Sequence, residues 1–152
     1  MNQQTPGPRG CTNFKLRQLL RSVARLYDAE LALAGLKTTQ YSLLSQLLSL
    51  GPIAPGALAL QLGMDPSTLT RNVKVLVDLG WVAQGPGHDT RSRSVAITPA
   101  GRRKQASAQA HWKRAQLILN ERLGTPQVAA LHTLIDGALA QLGANPPHAS
   151  EK

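Results

Sequence analysis

Apolar side chains recur along this chain at helical spacing in long runs, interrupted once by a short stretch of alternation. From Thr12 to Leu33 they fall at Leu16, Leu19, Leu20, Val23, Leu26, Tyr27 and Leu31, a helical period held for about six turns. Thr12 or Asn13 is placed to cap its start and Gly35 to end it. Thr39 offers a cap for a second helix through Tyr41, Leu43, Leu44, Leu47, Leu48 and Leu50, stopped by Gly51-Pro52. Ala54-Pro55 opens a short third helix with Leu58, Leu60 and Leu62, and Gly63 closes it. Asp65 then accepts from free first-turn N–H groups, and Pro66 suits the first position of a fourth helix because its missing N–H has no partner there. At about 100° per residue Leu69, Val73 and Leu76 share one narrow arc, while Ser67, Arg71 and Lys74 lie opposite.

After Leu79-Gly80 the period changes. Trp81-Val82-Ala83-Gln84 and Arg93-Ser94-Val95-Ala96-Ile97 read as two strands around a loop from Gly85 to Ser92. Thr98-Pro99-Ala100-Gly101 introduces a fifth helix from Ala100 to Leu123. Thr125-Pro126 starts a sixth, with Val128, Leu131, Leu134, Ile135, Leu139 and Leu142 as its apolar stripe. Two closely joined short helices followed by a hairpin make a helix-turn-helix with a wing. The predicted fold is therefore mainly α with a small β-hairpin wing, a winged helix-turn-helix plus a helical dimerisation region. Its expected parts are a disordered tail at 1–11, a dimerisation helix at 12–35, a DNA-binding lobe at 36–100, dimerisation helices at 101–143 and a flexible tail at 144–152. The self-association follows from the first and last helices, whose stripes exceed what one small core covers.

Composition narrows the core. Hydrophobic residues are 42% of the 152 but aromatics only 3%, so the interior is built from Leu, Val, Ile and Ala, a bias toward helices. Lys and Arg number 17 against 8 acidic residues, and the pI is near 10.7, the footprint of a nucleic-acid binder. The charge is uneven. Between Pro66 and Lys104 seven basic residues, Arg71, Lys74, Arg91, Arg93, Arg102, Arg103 and Lys104, face only Asp78 and Asp89, whereas Thr38 to Met64 carries no formal charge. That neutral run is broken by Gly51, Pro52, Pro55 and Gly56, which excludes a transmembrane helix, and Met1 to Gly10 has no apolar core to serve as a secretion signal. The expected location is the cytoplasm, with no membrane partner.

The outer face of the fourth helix suits the major groove of double-stranded DNA, with Ser67, Arg71 and Lys74 along the groove and Thr68 and Thr70 flanking it toward phosphates. Arg91 and Arg93 on the wing are placed for the neighbouring minor groove or for phosphate. Catalysis has no foothold, because there is no Gly-x-Ser-x-Gly, no phosphate loop and no His and carboxylate at useful spacing. His88, His111, His132 and His148 lack metal-ligand spacing, so no metal or cofactor is expected.

From Leu36 to Gly101 the chain resembles the winged-helix core of the MarR (multiple antibiotic resistance regulator) family of bacterial transcription factors. The matching pieces are Leu36-Lys37-Thr38-Thr39-Gln40-Tyr41, Leu58 to Arg71, Leu79-Gly80-Trp81-Val82, Asp89-Thr90-Arg91 and Ile97-Thr98-Pro99-Ala100-Gly101, in that order and spacing. The resemblance implies a homodimer on a pseudo-palindromic operator, with Asp89 and Arg91 paired so that Asp89 shapes the loop and Arg91 enters the minor groove. It also implies a repressor released by a small effector, often an aromatic carboxylate, or by cysteine oxidation. A cation and a ring in one cleft would suit such an anion, and Arg17, Arg21, Tyr41, His111 and Trp112 are the candidates. Cys11, the only cysteine, lies near a helix start and Lys15, where its thiolate is favoured, and is the candidate for a redox alternative. A nonspecific nucleic-acid-binding protein is the remaining alternative.

Overall fold

The computed structural model describes residues 7–89 and 91–143. The tails expected at 1–11 and 144–152 therefore lie partly or wholly outside the described residues, as do Thr90 and His148. Six helices and one hairpin follow in order among the described residues: α1 (Thr12–Ala32), α2 (Thr38–Leu50), α3 (Pro55–Leu62), α4 (Pro66–Asp78), β1 (Val82–Pro86), β2 (Arg93–Ile97), α5 (Pro99–Leu123) and α6 (Thr125–Gly143). The fold is the mainly helical winged helix-turn-helix that the periodicity predicts. Two compact units divide it, one ending at Arg114 and the other beginning at Ala115.

Two helix starts differ from the sequence reading. Neither Thr12 nor Asn13 caps α1; Cys11 holds the N-cap position and no side chain closes it. α2 begins at Thr38, not after a Thr39 cap. Its first N–H groups are satisfied by Gln40, whose Oε1 accepts from Lys37 N–H at 2.9 Å, and by Asp28, whose Oδ1 accepts from the Thr38 amide at 2.8 Å and hydroxyl at 2.7 Å. The cap comes from a carboxylate on α1, a long-range partner that local propensity does not reveal. At the α1 end, Gly35 N–H donates to Ala32 C=O and Leu36 N–H to Leu31 C=O, so Gly35 terminates the turn as expected.

In the first unit the core is Leu31, Leu36, Tyr41, Leu44, Leu47, Leu58, Leu69, Val73, Leu76, Val82, Val95 and Ile97, joined by Ala108 of α5. The α4 stripe predicted from the sequence is fully inside it. Each such Leu or Val contributes about 1.5–3 kcal/mol by leaving water, so the buried stripe alone fixes which side of α4 faces out. The antiparallel hairpin runs from Val82 opposite Ile97 to Pro86 opposite Arg93. Trp81 lies outside the strand, and Gly85 and Pro86 lie within it, so the ladder reaches further toward the tip than alternation suggests. Ile53 also bridges Val95, donating at 3.1 Å and accepting at 2.9 Å. A single residue between two helices carries no strand signature, so the sequence gives no sign of this bridge.

Much apolar surface stays uncovered. On α1, Phe14, Leu16 and Leu20 are exposed, and only Tyr27 and Leu31 of the stripe are buried. In the second unit Val128 is the buried residue of α6, while Leu134, Leu139 and Leu142 are exposed. No helix among the described residues is long and apolar enough to cross a membrane.

The start of α5 is bolted to the junction between α4 and β1. Thr98 donates its N–H to Trp81 C=O at 3.0 Å and its hydroxyl to Gly80 C=O at 2.7 Å, and accepts Gly101 N–H at 3.0 Å. Gly101 is required by this close approach: a Cβ there would collide with the Trp81 carbonyl and lie 2.8 Å from Ile97 Cγ1. Gly101→Ala is expected to destabilise the chain by about 1–3 kcal/mol, as overpacking does; an unchanged urea midpoint would contradict this packing.

Candidate nucleic-acid interface

The turn into α4 needs Gly63, at φ 60°, where Met64 N–H reaches back to Ala59 C=O and Gly63 N–H to Leu60 C=O. Asp65 follows in extended conformation. Its Oδ2 accepts from Ser67 N–H at 3.1 Å, from Thr68 N–H at 3.2 Å and from the Ser67 hydroxyl. Those bonds, the Ser67 hydroxyl foremost and then the Thr68 amide, hold the Asp65 carboxyl below its usual range, with the Arg71 charge adding to them.

The outward face carries Ser67, Thr70, Arg71 and Lys74, with Thr68 half-buried beside them. Their hydrogen-bonding capacity is unequal. Ser67 donates to Asp65, and Thr70 donates its hydroxyl to Pro66 C=O at 2.8 Å, so both face outward as acceptors; only Thr68, which accepts from Arg71 Nη2 at 3.4 Å, keeps its own proton free. Lys74 pairs with Asp78 at 2.9 Å, both side chains well exposed. Such a surface pair is worth about 0–1 kcal/mol and is screened by salt, yet it dilutes the cation. Arg71 makes no ion pair among the described residues, so the first two turns are the cationic part of the helix.

The wing tip is organised by Asp89. Its Oδ1 accepts from the backbone N–H of Arg91 at 3.0 Å and of Ser92 at 2.7 Å, while Asp89 N–H donates to Ser92 Oγ at 3.2 Å. These bonds, led by the Ser92 amide, lower the Asp89 pKa. The pairing implied for Asp89 and Arg91 is therefore between carboxylate and backbone amide, not between side chains; Arg91 keeps an exposed guanidinium with no ion pair among the described residues. Arg93 is not at the tip: it sits in β2 opposite Pro86, its side chain exposed.

The proposed effector residues divide. Tyr41 is buried and stacks on Trp112, ring centroids 6.1 Å apart at 23°, and Gln105 Nε2 donates to Tyr41 Oη at 3.4 Å and Ser45 Oγ at 3.3 Å. His111 Nδ1 stands 3.9 Å from Glu30 Oε2, and Arg114 Nε 3.6 Å from Glu30 Oε1. The structure does not bring Arg17 or Arg21 to this group: Arg17 donates to Asn13 at 3.2 Å on its own helix, and Arg21 is exposed. Gln105, Glu30 and Arg114 escape the sequence reading. The spacing of Gln105, Ala108 and Trp112 is the signal that marks Gln105 as inward-facing. Cys11 is exposed at the α1 start.

A family model described as MarR family matches residues 34–92. An uncharacterized HTH-type transcriptional regulator of Bacillus subtilis, YwoH, is 30% identical over 90 residues, covering 59% of this chain and 66% of that protein, a little under two thirds of its length. A mutant of E. coli MarR complexed with operator DNA is 25% identical with a TM-score of 0.76, covering 84% of this chain and 92% of that one. The M. tuberculosis transcriptional regulator MosR in complex with DNA is 26% identical with a TM-score of 0.70, over 85% of this chain and 98% of that one.

Because the folded pKa values of Asp65 and Asp89 lie below the ordinary one, both carboxylates stabilise the α4 start and the wing above the unfolded pKa, and that contribution disappears as pH falls through the folded values. Carbon NMR titration is expected to place both below 3.8, with the Arg91 and Ser92 amide resonances moving as Asp89 protonates. Titration of either at or above its ordinary value would contradict these hydrogen bonds.

Proposed function

We propose that the chain is a winged-helix transcriptional regulator of the MarR family, a repressor that binds a pseudo-palindromic operator as a homodimer and leaves it when a small anionic ligand binds. The observation that carries the reading is the pairing of two carboxylate-built turns, at Asp65 and Asp89, with two guanidinium groups, Arg71 and Arg91, that make no salt bridge among the described residues. Arg71 reads base edges from the major groove, with Thr68 as a hydroxyl donor and Ser67 as an acceptor beside it. Arg91 enters the flanking minor groove, and Arg93 and Lys74 hold phosphates.

Dimerisation through the exposed stripes of α1 and the second unit sets the two recognition helices about one DNA turn apart, roughly 34 Å. Residues 36–100 form the DNA lobe, with 12–35 and 101–143 as the dimerising segments. For the effector, an aromatic carboxylate suits the neighbourhood of Tyr41, Trp112 and His111, whereas Arg17 and Arg21 stay on the α1 surface away from that group. A ligand that favours one spacing of the recognition helices shifts the population away from the DNA-bound form.

Footprinting on the DNA beside its own gene is the direct test. If each subunit neutralises about four phosphates, the logarithmic salt slope of binding is expected to be about −7, and a slope near zero would contradict an electrostatic interface. Arg71→Ala is expected to abolish sequence preference, whereas Arg91→Ala lowers affinity mainly at A·T flanks. Equal binding by wild type and both variants would refute the assignment.

A further inference from the structure

Lys104 lies three residues beyond the Gly101 contact, half-buried and without a carboxylate partner among the described residues. Its Nζ stands 5.3 Å from the centroid of the Trp81 ring. The same ammonium reaches the turn after α1, where a Cβ built on Gly35 would lie 3.1 Å from it. Both neighbours mark helix C-termini. Gly35 closes the end of α1, and Trp81 closes the end of α4 by donating its N–H to Leu76 C=O at 2.9 Å. The carbonyl ends of helices are partly negative and favour a cation, yet neither α1 nor α4 has a basic residue in its own last turn. Lys104 therefore meets, from a third element, the glycine that closes α1 and the aromatic face of the residue that follows α4.

Trp81 is the single residue between Gly80, at the end of α4, and Val82, the first residue of the wing. Thr98 holds the backbone of this joint through the Gly80 and Trp81 carbonyls. Those bonds hold the backbone of the joint, and the indole packs partly buried against the core beside it. We propose that Lys104 is a positioning residue for DNA recognition: by holding the Trp81 indole it fixes the direction in which the hairpin leaves α4, and so the place of Arg91 relative to Arg71. The proposal rests on the DNA-binding reading above and adds a residue that touches no DNA.

The test uses the full chain and a duplex selected by the wild-type protein from a randomised library. Lys104→Met, which keeps the stem and removes the charge, is expected to weaken binding between about twofold and thirtyfold, the range of a cation over a ring. The loss falls on the A·T flank preference, while the preference at the bases read by Arg71 persists. Lys104→Arg restores binding, because a guanidinium also sits over an indole. In an Arg91→Ala background Lys104→Met has no further effect, since both act through the wing. Trp81→Leu, which keeps the ammonium and removes the ring, gives the same flank-specific loss by a second route should Lys104→Met fail to fold.

A Lys104→Met loss that adds in full to that of Arg91→Ala, with a salt slope reduced by about one, would make Lys104 a phosphate contact and overturn the proposal. Wild-type binding unmoved by Lys104→Met would overturn it as well. If the wild-type protein selects no sequence from the library, the regulator reading itself falls, and the positioning role with it.

Discussion

Burial of Leu69, Val73 and Leu76 is the constraint on which the outward face of α4 depends. Three side chains at helical spacing enter one leucine-rich core, and their burial leaves α4 a single orientation, with Ser67, Arg71 and Lys74 outward. The core that receives them is assembled from α1 to α3, both strands and α5, so no one of these elements can be shifted without turning α4.

On that frame, two aspartates shape the parts expected to meet nucleic acid. Each uses its carboxylate on local hydrogen-bond donors, Asp65 on the Ser67 hydroxyl and the first amides of the helix and Asp89 on the amides of the wing turn, while Arg71 and Arg91 make no salt bridge among the described residues. Such an arrangement places anions within a cationic surface without neutralising it. Lys74, by contrast, shares its charge with Asp78, which divides α4 into a cationic first half and a nearly neutral second half.

Element order, the α4 face and the wing were legible because each is written locally: an Asp-Pro start, a three- to four-residue apolar period, glycines at the ends. What was not legible involves partners distant in sequence. Asp28 caps α2 from α1, Ile53 joins β2, and Gln105 reaches Tyr41 and Ser45, 64 and 60 positions away. The Asp89 and Arg91 relation was legible as a pair but not in kind, since a carboxylate two residues before an arginine can take its amide as readily as its side chain. Arg17 and Arg21 were grouped with Tyr41 by chemical type, and the fold keeps them on the α1 surface.

The Ile53 bridge has a consequence for the behaviour of the protein in concentrated solution. A two-stranded hairpin presents two edges, each a template on which another chain can add a strand. Ile53 occupies the edge of β2 at Val95, taking its N–H and C=O. On the other edge, β1 ends in Pro86, which has no N–H to offer, and Arg91 and Arg93 close by add like charges that repel a second copy. The wing is thus guarded against fibril-like stacking on both sides, which lets an exposed strand pair project toward a ligand without becoming an aggregation seed.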